Sequence, residues 1–230
     1  MLISGLQKLT LLDYPGKMAC TVFTGGCDFR CPFCHNASLV RNPEDFPRIK
    51  EDEFFDFLEK RKNILEGVCI TGGEPTIQKD LKEFIIRIRE KGYLIKLDTN
   101  GNHPEILKEL VNEGLVDYVA MDIKNSIEKY PITVDVKNFN IKNIKESVDF
   151  LLSDIVDYEF RITVVKEFHN KDDIESIAKW IKGAKRYFLQ GFVDSGDLIS
   201  DGYSGYDKKE METLLEVTKK YIVNTELRGY

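Results

Sequence analysis

Residues 94–123, LIKLDTNGNHPEILKELVNEGLVDYVAMDI, hold one complete strand-helix-strand unit. Leu94 to Thr99 and Tyr118 to Ile123 are apolar runs of strand length, and Pro104 to Asn112 between them has the wider apolar spacing of an amphipathic helix. Asn102 or His103 stands at the cap, Pro104 at the first helical position and Gly114 just past the end, the proline-first, glycine-last asymmetry of a helix.

The same alternation extends outward in both directions. Further strand candidates are Met18 to Thr24, Gly67 to Thr71, Glu159 to Val165 and Arg186 to Gln190. Further helix candidates are Glu51 to Asn63, Asp80 to Lys91, Lys142 to Leu152, Asp172 to Ile181 and Tyr206 to Ile222. Strands alternating with helices predict an α/β fold with a parallel sheet of right-handed βα units. Six units in 230 residues fall short of the eight in a closed barrel, so the expectation is a partial (β/α)6 TIM-like barrel, with a doubly wound sheet as the runner-up. There is no internal repeat, Gly/Ser linker or break in composition, which predicts one domain over residues 1–230 rather than two small ones. Residues 124–140 and 191–205 are the longest expected loops.

With 42% hydrophobic and 31% charged residues the chain is globular, and low-complexity disorder is excluded. Thirty-three Lys and Arg against 39 Asp and Glu leave a net charge of −6 with no long block of either sign, which argues against a nucleic-acid partner. No apolar run approaches the roughly 20 residues that span a bilayer, and Met1-Leu2-Ile3-Ser4-Gly5 lacks a signal-peptide pattern. The expected location is therefore cytoplasmic, away from membranes.

Three of the five cysteines, Cys27, Cys31 and Cys34, fall within eight residues on the loop leaving the first strand candidate. In a reducing compartment such a group points to metal or redox chemistry rather than disulfides. Four explanations compete: a 4Fe-4S cluster held by three thiolates with one iron open, a closed Cys3His zinc site using His35, a CxxCH haem attachment, and idle buried thiols. Haem leaves Cys27 unexplained. Zinc is weakened because His35 directly follows Cys34, and adjacent residues do not readily reach one tetrahedral ion. Cys20 and Cys69 read as small core residues, and the absence of a second cysteine cluster argues against an auxiliary centre.

Cys27-x3-Cys31-x2-Cys34, with Phe33 before the last cysteine, resembles the signature of the radical S-adenosylmethionine (SAM) enzymes, whose fold is a partial βα barrel. The run Thr10-Leu11-Leu12-Asp13-Tyr14-Pro15-Gly16 through Cys34-His35-Asn36, with the closing Glu226-Leu227-Arg228-Gly229, resembles the activating proteins of anaerobic ribonucleoside-triphosphate reductase. That resemblance implies an enzyme in which Cys27, Cys31 and Cys34 hold a 4Fe-4S cluster. SAM is cleaved reductively to a 5′-deoxyadenosyl radical, and a glycyl radical is installed on a partner enzyme. It implies an external electron donor such as flavodoxin or ferredoxin, and oxygen sensitivity.

The other polar motifs fall at the carboxyl ends of the strand candidates, where βα barrels carry their sites. Thr71-Gly72-Gly73-Glu74-Pro75 offers a close backbone approach and an acceptor for an ammonium group, against the competing explanation of an ordinary turn. Asp98-Thr99-Asn100-Gly101 is by itself a common turn. Asp122 and Lys124 stand two apart and so face one side of a strand, as a shared ligand contact or as a surface ion pair. Arg161 is a charge inside an apolar strand, costly unless paired. The resemblance implies that Phe33, His35, Gly72, Gly73, Glu74, Thr99, Asn100, Asp122, Lys124 and Arg161 contact SAM, with Asp98 and Thr99 able to help hold a monovalent cation. The contact near Gln190 is left unassigned. His103 and His169 have no partner pattern and are expected at the surface. Alternatives to a glycyl-radical activator are a radical SAM enzyme acting on a small molecule or peptide, and a non-catalytic zinc-binding interaction domain.

Overall fold

The computed structural model describes residues 1–229. Among these, eight strands form a single sheet in chain order. β1 (Ile3–Thr10) pairs antiparallel with β2 (Ala19–Thr24). β3 (Gly67–Gly72), β4 (Leu94–Thr99), β5 (Tyr118–Asp122), β6 (Asp157–Val164), β7 (Tyr187–Gly191) and β8 (Thr225–Arg228) follow, each parallel to the strand before it. Helices fill the crossovers: α1 (Ala37–Arg41) and α2 (Glu51–Lys60) after β2, α3 (Leu81–Glu90) after β3, and α4 (Pro104–Asn112) after β4. α5 (Tyr130–Val134) and α6 (Ile141–Leu152) follow β5, α7 (Lys171–Trp180) follows β6, and α8 (Lys208–Lys219) follows β7. β2 through β7 with their helices make the six βα units of a partial barrel.

Four elements were not expected. β1 has the burial of an edge strand, with its middle exposed and two register shifts, so no continuous apolar run marks it. β8 has only four residues, and α1 and α5 have five each, too short for a periodic signal. α2 and α8 stop about one turn before the expected ends at Asn63 and Ile222.

Successive residues of each strand face opposite sides of the sheet. Ile95, Leu97, Val119, Met121, Phe160 and Ile162 join Phe84, Leu107, Ile144 and Ile177 of the helices in one buried core. The residues between them, Lys96, Asp98, Asp122, Glu159 and Arg161, turn to the inner face and carry charge. Beneath that face, Tyr14 packs against Ala19 and Tyr118. A Cβ on Gly67 would stand 2.9 Å from the Tyr14 ring. The Thr10-to-Gly16 run thus folds as a turn under the barrel, leaving Leu11 and Leu12 exposed.

His169 is fully buried, contrary to the expected surface position. Its Nδ1 accepts the Val165 N–H at 3.0 Å, and its Nε2 lies 2.8 Å from the Lys124 carbonyl, to which it donates as the neutral tautomer. Both partners are backbone groups, which no sequence pattern reveals. Burial lowers the His169 pKa to about 4, although the Lys124 carbonyl and Asp173 act to raise it. The folded state therefore binds fewer protons than the unfolded one between the ordinary histidine value and about 4. Stability contributed by neutral His169 should be lost as pH falls through that window, by about 3 kcal/mol in total. Urea unfolding at several pH values should show this loss in the wild type and a smaller one in His169→Gln; identical pH profiles would disprove it.

Candidate active site at the carboxyl ends of the strands

β2 ends at Thr24, and the chain passes through Gly25 and Gly26 into Cys27-Asp28-Phe29-Arg30-Cys31-Pro32-Phe33-Cys34. The loop is tied to the turn after β3: Gly73 N–H donates to the Thr24 carbonyl at 2.9 Å and Glu74 N–H to the Gly26 carbonyl at 2.8 Å. The two backbones are so close that a Cβ on Gly73 would fall 1.7 Å from the Gly26 oxygen. Gly72 has φ +114°, a conformation suited to glycine, and its Cβ would meet the Thr24 nitrogen at 2.4 Å. The glycine pair is therefore a steric requirement of the junction.

Other segments hold the rest of the loop. Arg30 N–H donates to the Val134 carbonyl at 2.9 Å, and Ser200 N–H donates to the Pro32 carbonyl at 2.9 Å. Phe33 is buried against Phe168, 5.1 Å between ring centroids, and joins Phe192 and Leu198 in a small apolar cluster. His35 stacks on Phe192 at 5.2 Å. The segment 191–205 thus folds over the cysteine loop. It is anchored further by Ser38 Oγ donating to Asp197 at 2.6 Å and by Arg41 donating to the Ile199 carbonyl.

One cavity of about 1030 Å³, measured out to solvent, gathers the expected site residues. Cys27, Cys31, Phe33, Cys34, His35, Gly72, Gly73, Glu74, Thr99, Asn100, Asp122, Lys124 and Arg161 all line it, joined by Asp98, Thr163 and Gln190. They come from the ends of six strands.

Burial pushes all three cavity thiols up, Cys31 to about 12, with Lys124 pulling the other way on Cys31 and Cys34. Such thiols ionise only beside added positive charge, which is the condition of a metal centre. Among the described residues no three His, Cys, Asp or Glu side chains converge closely enough to hold one metal ion. The His35 ring is engaged with Phe192 and the Val193 backbone. Three thiols lining one cavity offer the donor set of an iron-sulfur cluster.

Glu74 is buried and its carboxylate braces two loops. Its Oε1 accepts from Thr76 N–H at 3.0 Å, Thr76 Oγ1 at 2.5 Å and Thr99 Oγ1 at 2.8 Å, and its Oε2 accepts from Asn100 N–H at 2.6 Å. Burial raises its pKa against these donors. One lone-pair direction of Oε2 is left for a further donor.

Charge on the inner face forms an alternating row. Arg161 reaches Asp98 through Nη1 and Asp122 through Nε, both at 2.9 Å, and Lys124 Nζ lies 3.2 Å from Asp122. Lys96 pairs with the other Asp98 oxygen. Burial alone would raise Asp122, but Arg161 and Lys124 hold it at about 2. Burial alone would lower Lys124, but Asp122 keeps it above the ordinary lysine value. Asp122 and Lys124 are therefore cavity residues and not a surface pair. Both oxygens of Asp98 already carry a cationic partner.

Asp28 and His103 escaped the sequence reading. The Asp28 carboxylate accepts from Asn100 Nδ2 at 2.8 Å and Asn102 Nδ2 at 2.6 Å, and lies 3.0 Å from His103 Nε2. Against burial, these groups hold Asp28 at about 2. Asp28 raises the His103 pKa in turn. His103 is thus a half-buried partner of the cysteine loop, not a free surface residue. The clue available was its place at the start of α4, two residues after Asp98-Thr99-Asn100-Gly101.

The sequence profile of the Radical SAM superfamily matches residues 21–181. A protein of Methanocaldococcus jannaschii, named as a candidate glycyl-radical enzyme activating enzyme, is 36% identical over 99% of this chain and 95% of its own length. A pyruvate formate-lyase-activating enzyme of Clostridium pasteurianum is 30% identical over 54% of this chain and 52% of its own. Among solved structures, Streptococcus suis SuiB bound to S-adenosylmethionine matches with TM-score 0.66 over 89% of this chain and 48% of that one; at 17% identity this is a likeness of fold.

The Gly26–Gly73 contact gives a direct test of the junction. Gly73→Ala should part the cysteine loop from the β3 turn and weaken iron binding roughly 10–100-fold, the range for lost support around a metal centre. Iron and sulfide analysis after anaerobic reconstitution measures this, and wild-type iron content would contradict it.

Proposed function

The chain belongs to the radical SAM superfamily, among the glycyl-radical enzyme activating proteins, and from that membership we propose that it installs a glycyl radical on a partner enzyme, anaerobic ribonucleoside-triphosphate reductase. It is an enzyme of a family that uses a 4Fe-4S cluster and SAM. The observation that carries the proposal is that the likeness to the Methanocaldococcus jannaschii protein runs through 99% of the chain, covering the cavity loops as well as the barrel.

In this proposal Cys27, Cys31 and Cys34 would hold the cluster, and the cavity they line would hold SAM beside it. When bound, the cluster supplies the electron that splits the SAM sulfonium into methionine and a 5′-deoxyadenosyl radical. The residues around it bind and orient. The free direction on Glu74 Oε2 and the Gly73 backbone receive the SAM ammonium group, in the turn that the glycine junction fixes. Lys124 and Arg161 face the carboxylate, and Asp122 between them keeps both charged and in place. Phe33 is held by Phe168, Phe192 and Leu198 and His35 by Phe192, and both shape the wall beside Cys34. Thr99 and Asn100 act from behind, since their donors are engaged with Glu74 and Asp28.

The partner's glycine gives up a hydrogen atom from its α-carbon, forming 5′-deoxyadenosine and leaving the radical on the backbone. The electron comes from a separate flavodoxin or ferredoxin. Residues 1–230 act as one radical SAM unit, a reading supported by the continuous sheet from β1 to β8. None of the described helices is long and apolar enough to cross a membrane. We place the reaction in the reducing cytoplasm.

The reconstituted protein, incubated without oxygen with SAM, a reductant and the reductase, should produce a glycyl radical visible by electron paramagnetic resonance. Cys31→Ala should reduce SAM cleavage to background and lose the brown colour of the cluster. Full cleavage by that variant would refute the cluster assignment, while SAM cleavage without a glycyl signal would redirect the search to a small-molecule or peptide substrate.

A further inference from the structure

Lys96 is a lysine with 1% of its surface exposed, on the inner face of β4 below the cavity. It is not among the residues that line the cavity. Its ammonium pairs with Asp98 Oδ1, lies 3.8 Å from Cys69 Sγ and sits 5.9 Å from the centre of the Tyr118 ring. Asp98 Oδ2 takes Arg161 Nη1, Arg161 Nε takes Asp122 Oδ1, and Asp122 Oδ2 takes Lys124 Nζ. The row therefore alternates Lys96, Asp98, Arg161, Asp122, Lys124, and every member but Lys96 lines the cavity.

We propose that Lys96 is a positioning residue for SAM, a tethered counter-cation that satisfies Asp98 so that Arg161 and Lys124 stay shared with Asp122 and directed at the SAM carboxylate. This rests on the cavity being the SAM site. The physical ground is competition for one guanidinium. Asp98 and Asp122 both hold Arg161, and each buried carboxylate needs full pairing. With the Lys96 ammonium gone, the whole charge of Asp98 falls on Arg161. Arg161 is drawn toward β4, and Asp122 must lean harder on Lys124. Both cavity cations then become less available to a ligand. An apolar side chain at 96 would fill the space, but it could not balance Asp98.

The test compares the reconstituted wild type with Lys96→Met, Asp98→Asn and the double variant, using SAM as titrant in anaerobic calorimetry, with iron content and thermal unfolding measured in parallel. Lys96→Met should keep its iron and bind SAM roughly 10–100-fold more weakly, the equivalent of one lost charge-assisted contact. The double variant, which removes the competing carboxylate along with the lysine, should bind SAM more tightly than Lys96→Met alone. Methylammonium should recover affinity in Lys96→Ala and leave the wild type unchanged. Wild-type affinity in Lys96→Met would overturn the proposal. So would a double variant no better than the single one, which remains decisive even if Lys96→Met folds poorly. If the wild type itself binds no SAM, the assignment of the cavity falls, and the role of Lys96 with it.

Discussion

An arginine inside a β-sheet is costly unless its charge is paired, and that condition organises the inner face of this barrel. Arg161 meets Asp98 on one side and Asp122 on the other. Each of those acids requires a second cation, which Lys96 and Lys124 provide. The result is a row of five charges spanning β4, the carboxyl end of β5, and β6. Lower on the same face, Glu159 accepts from Arg228 at 2.8 and 3.1 Å and from Tyr118 at 2.8 Å. Where closed βα barrels pack layers of branched apolar side chains, this one places paired charge. The apolar stabilisation comes instead from the outer face, where the strands meet the helices.

Above this row, two short-range constraints set the shape of the cavity mouth. The Gly26–Gly73 contact joins the cysteine loop to the β3 turn, and the Glu74 and Asp28 carboxylates join both to the β4 turn through Thr99, Asn100, Asn102 and His103. Three loops are thereby fastened to one another before any ligand is considered. This is the preorganisation a cofactor site needs, with the liganding side chains carried on strand ends and held by further hydrogen bonds.

Much of this was legible in the sequence. The six central strands and their helices were readable because the helices are long amphipathic stretches, Pro104 to Asn112 with proline and glycine marking its ends, and each strand is a compact apolar run. The site residues were readable because the motifs sit at the same end of successive strands. What escaped depends on contacts distant in sequence. His169 is satisfied by backbone groups at 124 and 165, and Asp28 is partnered by side chains more than seventy positions away. Lys96 could have been found. It is a charge within the apolar run Leu94 to Thr99 and, like Arg161 in β6, is costly unless paired. Its partner Asp98, two residues along on the same face, was already in view.

The cover formed by residues 191–205 has a bearing on biogenesis. Asp197 reaches back to Ser38 and Ser200 to Pro32, so the sulfur-bearing loop from the first seventh of the chain is not enclosed until the segment after β7 has been made. During synthesis that loop leaves the ribosome long before its roof exists. The sulfur-bearing loop therefore stays uncovered on that side until residues 191–205 settle into place.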